Sequence, residues 1–217
     1  MQIENKKYTV SVIVTTFNRR KYIKRAIDSI LNQTFKDYEI IIIDDGSTDA
    51  TEKIIFPLLK VHKNIKYLIH SNRKNPLSFN TGVLLSSGKY ITMLDSDDEY
   101  DPNHLKLRVD FMSKNKKINL LHSPAKLIGK EEDMYIPDAR NKKKLIHIND
   151  CIIGATLFGK REVFEKLNGF KDKYSADFDF YKRAIKADYK VTKFEPKTYI
   201  YYRNLPDSVT NKLKLKK

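Results

Sequence analysis

The chain has 217 residues, 42 lysines and arginines against 27 aspartates and glutamates, a formal net charge of +15, and 41% hydrophobic with 11% aromatic content. That is enough for one soluble domain with a real core, or one domain and a small appendage; the single Cys151 excludes an internal disulfide or a multi-cysteine zinc site, and no run approaches the ~20 apolar residues a bilayer span needs. The polar stretch Met1 to Tyr8 holds no signal-peptide core, so a cytoplasmic protein is expected. The basic balance favours anionic partners, among them nucleic acid, an anionic membrane surface and phosphorylated small molecules.

Residues Val10 to Thr15 form an apolar, β-branched run of the kind buried in a parallel sheet. From Lys21 an amphipathic helix follows, with Tyr22, Ile23, Ala26, Ile27, Ile30 and Leu31 on one face. Glu39 to Asp44 reads as a second strand running into Asp44-Asp45-Gly46-Ser47-Thr48-Asp49. Asp49 with Glu52 reads as a capping box for a helix that Pro57 kinks or shortens. Strand, helix, strand, helix implies right-handed βαβ units.

A third strand is expected at Ile65 to Ile69, then the polar loop Ser71 to Asn75, a short helix near Asn80 to Ser86, and a strand Tyr90 to Met93. A helix from Pro102 to about Asn115 follows, started by Asp101. Gly129 to Lys144 has charges of both signs and no period, and reads as a hairpin or mobile loop. A short helix through Val163, Phe164 and Leu167, a turn at Asn168-Gly169, and a helix from about Asp177 with Phe178, Tyr181 and Ile185 on one side come next. Tyr189 to Phe194 closes the regular pattern as a last strand, followed by the aromatic segment Tyr199 to Arg203 and a basic tail, Asn211 to Lys217.

The strand from Tyr90 ends at five acids within seven positions, Asp95, Asp97, Asp98, Glu99 and Asp101. In so basic a chain their mutual repulsion calls for an offsetting partner. Carboxylate pairs of this kind suit Mg2+ or Mn2+, which reach a substrate through one or two carboxylates and its phosphates. The carboxyl end of a strand is where open α/β sheets bind ligands.

Taken in order, the stretches Val10 to Asn18, Ser29 to Phe35, Asp44 to Asp49 and Leu94 to Asp98 closely resemble the N-terminal half of family-2 glycosyltransferases. Asn168-Gly169-Phe170, Asp177 with Arg183, and Tyr202-Arg203 with Ser208 extend the resemblance over nearly the whole chain. It implies an α/β fold of the GT-A type, a Rossmann-like three-layer sandwich with a mostly parallel central sheet flanked by helices. It further implies a single domain over residues 1–217, with a nucleotide-binding half (1–100) and an acceptor-binding half (101–217).

The resemblance also implies roles. Thr15 and Phe17 hold a nucleobase, and Asp45 accepts from the N3–H that uracil and thymine carry. Asn80 and Ser96 complete the nucleotide site, Asp95 and Asp97 bracket the metal and diphosphate, and Asp177 is the base, with Asp179 as the fallback. The expected activity is a metal-dependent, inverting transfer from a UDP-sugar to a glycan or lipid-linked acceptor, on a chain whose basic surface can rest on an anionic membrane. Two departures stand out: Phe79 precedes Asn80 where the family has arginine, and Leu205 replaces a histidine. These leave open a non-catalytic module of the same fold, or compensation by Arg73, Lys74 or Arg203. The dispersed basic residues and the lack of a reader motif argue against nucleic acid.

Overall fold

The computed structural model describes residues 7–138, 140–141 and 143–205. Ser208 and the basic tail from Asn211 to Lys217 lie outside the described residues. The first half alternates β1 (Val10–Thr16), α1 (Ile23–Leu31), β2 (Tyr38–Asp44), α2 (Glu52–Val61), β3 (Ile65–Ile69), α3 (Asn75–Leu85) and β4 (Tyr90–Asp95). The second half is more broken: β5 (Glu99–Tyr100), α4 (His104–Lys114), β6 (Leu120–His122), β7 (Lys126–Ile128), β8 (Tyr135–Pro137), β9 (Leu145–His147), β10 (Phe158–Lys160), α5 (Arg161–Lys166), α6 (Ala176–Lys186), β11 (Val191–Lys193) and β12 (Tyr199–Tyr202).

Seven strands share one sheet in the order β11-β6-β10-β4-β1-β2-β3, and β1, β2, β3 and β4 pair in parallel. The strand β10 runs antiparallel to both its neighbours. Every residue of β1 and β2 is buried, as expected of strands covered on both faces. Alternation along β1 sends Val10, Val12 and Val14 into a core with Ile23, Ile27 and Ile30 of α1, and Ile13 into a second core with Phe79 of α3, Phe164 of α5 and Phe180 of α6. The result is helix, sheet, helix: three layers. Two smaller sheets, β5-β12-β7 and the β8-β9 hairpin, lie beside it.

Several expectations need correction. Helix α3 begins at Asn75, five residues before Asn80, with Pro76 in its first turn, where a missing N–H costs nothing. The capping box at Asp49 does not form: its carboxylate instead accepts from the Thr51 hydroxyl and from the Arg20 N–H. Helix α2 carries Pro57 inside and still reaches Val61. The Asp101 side chain accepts from Asn103 N–H at 2.9 Å, and the start of α4 is tied by Gln33, whose Oε1 accepts from Leu105 N–H at 2.9 Å. On α6 the buried face is Ala176, Phe180 and Ala184, whereas Phe178 and Tyr181 stack on the outer side and Ile185 is exposed. The hairpin expected within Gly129 to Lys144 extends past it: β8 lies inside the stretch, and its partner β9 begins at Leu145.

Candidate active site

Parallel register brings the ends of β1, β2 and β4 to one edge. Thr15 lies opposite Asp95, and Thr16 opposite Asp44. A residue that sequence reasoning passed over joins them. The amide of Asn75, at the start of α3, accepts from the Thr15 hydroxyl at 2.8 Å and donates to Asp95 Oδ1 at 3.2 Å. Phe17 follows at the mouth, 45% exposed.

The acidic loop after β4 is not a uniform cluster. Asp98 is fully buried, and it accepts from the Tyr199 hydroxyl at 2.6 Å and the Tyr202 N–H at 2.8 Å. Burial, then the charges of Asp97 and Asp95, push its carboxyl well above the usual range. It anchors the loop to β12. Asp95 and Asp97 are held differently. Burial and the neighbouring Asp97 charge push the Asp95 carboxyl up to about 6, against weaker lowering by Asn75 and Arg19. Asp97 meets Arg19, whose Nε donates to Oδ2 at 3.2 Å, while its backbone carbonyl accepts from Arg25. The Arg25 guanidinium lies 3.7 Å from the Tyr202 ring centre and its Nε 3.1 Å from Glu99 Oε1.

Asp45, at the end of β2, is nearly buried. Its Oδ1 accepts from the Arg73 N–H at 2.7 Å and lies 3.3 Å from His70 Nδ1, which leaves Oδ2 for a ligand. The adjacent Asp44 is structural, taking the Tyr67 hydroxyl at 2.7 Å and the Ser47 N–H at 2.7 Å. Sequence alone could not divide the labour between the two.

Asp177 is the second residue of α6, behind Ser175 in the left-handed region (φ 53°). Backbone N–H groups stabilise its charge: Gly154 donates to Oδ2 at 3.1 Å and Phe178 to Oδ1 at 2.8 Å. Burial outweighs them and raises its carboxyl above the usual value. Its charge in turn adds a small raising effect on Asp95. Asp179 is committed elsewhere, paired with Arg183 at 2.7 Å and Lys173 at 3.1 Å, and its carboxyl is held low by those two hydrogen bonds in spite of burial. Cys151, whose thiol burial and nearby acids push to about 11, stays protonated beside Asp177.

Other expected residues are not brought to this edge as open groups. Asn80 uses both ends of its amide on the backbone of Phe170, donating to its carbonyl at 2.7 Å and accepting from its N–H at 2.8 Å. It therefore splints α3 to the turn Asn168-Gly169 instead of standing open to a nucleotide. Ser96 is buried inside the acidic turn. Arg203 is fully buried and donates to the Asp133 carbonyl at 3.0 Å, and Lys74 pairs with Asp172 at 2.8 Å. Of the three candidate replacement cations, Arg73 is exposed, and it is its backbone N–H that meets Asp45. Arg19 and Arg25, which do reach the acidic loop, carried a weak signal in sequence: Arg19 directly follows the loop residue Asn18 at the end of β1.

A divalent cation suits this donor set. Two carboxylates sit side by side, one destabilised as an anion by burial and by the other, and hard oxygen donors match Mg2+ or Mn2+. Among the described residues no three His, Cys, Asp or Glu side chains converge as a closed cage. Asp95 and Asp97 would therefore share the ion with water and phosphate oxygens.

Residues 11–168 match the family model described as Glycosyl transferase family 2. An uncharacterized glycosyltransferase of Rickettsia prowazekii is 33% identical over 184 residues, which is 79% of this chain and 57% of that protein. Among solved structures, S. aureus TarS in complex with UDP-GlcNAc superposes with a TM-score of 0.73 at 21% identity, covering 94% of this chain and 60% of that one. The mannosyltransferase PcManGT from Pyrobaculum calidifontis, in complex with GDP-Man and Mn2+, gives 0.73 at 17% identity, covering 97% and 61%. These likenesses show the fold, the GT-A arrangement. The chain spans about three fifths of the length of these relatives.

Proposed function

The chain belongs to glycosyl transferase family 2, and on that premise we propose that it transfers a sugar, with inversion, from a nucleoside-diphosphate sugar to a hydroxyl of a glycan or lipid-linked acceptor. The observation that carries this reading is the meeting of Thr15, Asp45 and Asp95 at one sheet edge, with Asp97 on the loop that follows and Asp177 near enough for its charge to act on Asp95.

Phe17 offers an exposed ring for a base, and Asp45 Oδ2 a carboxylate oxygen for a ring N–H. Uracil has that donor at N3, which favours a UDP-sugar. TarS was solved with UDP-GlcNAc and PcManGT with GDP-Man, so the fold itself accepts either base. Asp95 and Asp97 would hold a Mn2+ or Mg2+ ion, which when bound would supply charge to stabilise the departing diphosphate.

Asp177 accepts the proton of the acceptor hydroxyl as that oxygen bonds to the anomeric carbon. The bond from that carbon to the diphosphate oxygen breaks on the opposite face, and its electron pair leaves with the nucleoside diphosphate. The raised carboxyl makes Asp177 a stronger base than an exposed aspartate. Asp179, neutralised by two cations, is the poorer candidate. The basic surface holds the enzyme near anionic membranes that carry its acceptor.

The test is calorimetric titration of UDP, GDP and dTDP, with Mn2+ or with excess EDTA, on wild type and Asp97→Ala. Binding of one nucleotide that needs both metal and Asp97 supports the donor site. Absence of any nucleotide binding under metal would favour a non-catalytic module of the same fold.

A further inference from the structure

Two arginines reach the acidic loop, and the structure treats them differently. Arg25 is immobilised by Tyr202, by Glu99 and by the Asp97 backbone carbonyl. None of those partners is the Asp97 carboxylate. Arg19 does reach it: its Nε donates to Oδ2 at 3.2 Å, in a pair whose side chains are only 15% and 19% exposed. The backbone beneath is firmly built. Asn18 sits in the left-handed region (φ 53°), its amide oxygen accepts from Thr48 N–H at 2.7 Å, and its N–H donates to the Ser47 hydroxyl at 2.9 Å. The guanidinium is thus delivered to the acidic loop by a turn fixed on both sides.

A carboxylate oxygen that accepts from a guanidinium in a half-buried pair cannot at the same time be a good inner ligand of a divalent cation. The two positive charges would crowd one oxygen, and the repulsion is strengthened where water is scarce. A planar guanidinium is also well matched to phosphate oxygens.

Building on the donor site proposed above, we propose that Arg19 is a counter-charge that exchanges partners: it neutralises Asp97 in the free protein and passes to the diphosphate when a divalent cation takes Asp97. Cation and nucleoside diphosphate then bind with positive coupling. Each removes a cost from the other, and linkage makes the effect reciprocal.

The experiment measures Mn2+ binding by paramagnetic resonance, with and without saturating UDP, on wild type, Arg19→Ala and Arg19→Gln. No glycosyl transfer enters the readout, and circular dichroism verifies that each variant is folded. Without nucleotide both variants bind Mn2+ at least about fivefold more tightly than wild type, and the tightening produced by UDP shrinks by a similar factor. UDP affinity at saturating Mn2+ falls in the variants, while uridine, which has no phosphate, binds both forms alike. Equal or weaker Mn2+ affinity in both variants without nucleotide would overturn the exchange, because Arg19 would then organise Asp97 rather than compete for it. Failure of wild type to bind Mn2+ with or without UDP is a different result: it would overturn the donor-site reading and the exchange together.

Discussion

Gly154 donates its N–H to Asp177 Oδ2 at 3.1 Å, and a Cβ placed on Gly154 would lie 2.9 Å from the Asp177 Cβ. Here the glycine matters for its missing side chain. The turn Gly154–Thr156 runs directly against the first turn of α6, and only a bare backbone lets the N–H reach the carboxylate.

Gly154→Ala therefore displaces Asp177 while leaving its chemistry intact. A misplacement on the order of 1 Å at a reacting group costs roughly 10²-fold in rate. The expected result is a drop of about that size in kcat with little change in donor affinity, read from steady-state kinetics beside a nucleotide titration.

Asp177→Asn removes the proposed proton acceptor, and kcat should fall by about 10²–10⁴-fold with nucleotide affinity retained. Its pH behaviour is a second check. The raised carboxyl puts the acid limb of the wild-type rate profile above the ordinary aspartate value of about 3.9. For stability the sign is as follows: the folded pKa exceeds the unfolded one, so the contribution is fully present below the unfolded pKa and lost as pH rises through the folded pKa. Because Asn would leave one of the two N–H donors without an acceptor at every pH, the check is relative: the Tm of wild type minus that of Asp177→Asn should fall as pH rises from about 3 through the folded pKa of Asp177. Cys151 and Tyr174, both with pKa values raised by burial and by Asp177, stay neutral in this range and do not blur the comparison.

Asn80→Ala should act on folding and not on the donor. Losing two hydrogen bonds to the Phe170 backbone leaves its N–H and carbonyl unpaired, at a cost of about 1–3 kcal/mol. For a chain of this size that lowers Tm by roughly 2–4 °C per kcal/mol. Gly169→Ala should be at least as damaging, since Gly169 has φ +60° and a Cβ there would come within 2.1 Å of Asn80 Oδ1. Differential scanning calorimetry with UDP titration on the folded variants separates this from a nucleotide-contact role, in which affinity would fall and Tm would not.

Tyr199→Phe strips the buried Asp98 carboxylate of its 2.6 Å hydroxyl donor. The expected cost is about 1–3 kcal/mol in urea denaturation, with loosening of the acidic loop that carries Asp95 and Asp97. Weaker Mn2+ binding in the same variant would tie the second sheet to the donor site.

What the sequence determined by itself was the first half of the sheet and the general place of the site. Runs such as Ile40 to Ile43 are apolar on both faces, so they can only be covered parallel strands, and motifs at the ends of such strands must meet at one edge. Local periodicity and spacing suffice for that. The second half was less legible because its strands are two to four residues long and its helices bury small or aromatic side chains that do not show a clean period, as on α6, where Ala176, Phe180 and Ala184 face inward. Only the tertiary structure decided which acid does what. Asp44 and Asp45 are neighbours, as are Asp97 and Asp98, and Asp177 and Asp179 lie two apart. In each case burial and partners, Tyr67, Tyr199, Arg19, Gly154 and Arg183, give the two carboxylates different surroundings, and the roles proposed for Asp45, Asp97 and Asp177 rest on that difference. Those partners lie 23 or more residues away, except Arg183 on its own helix, and no local pattern encodes a contact that chain folding alone brings about.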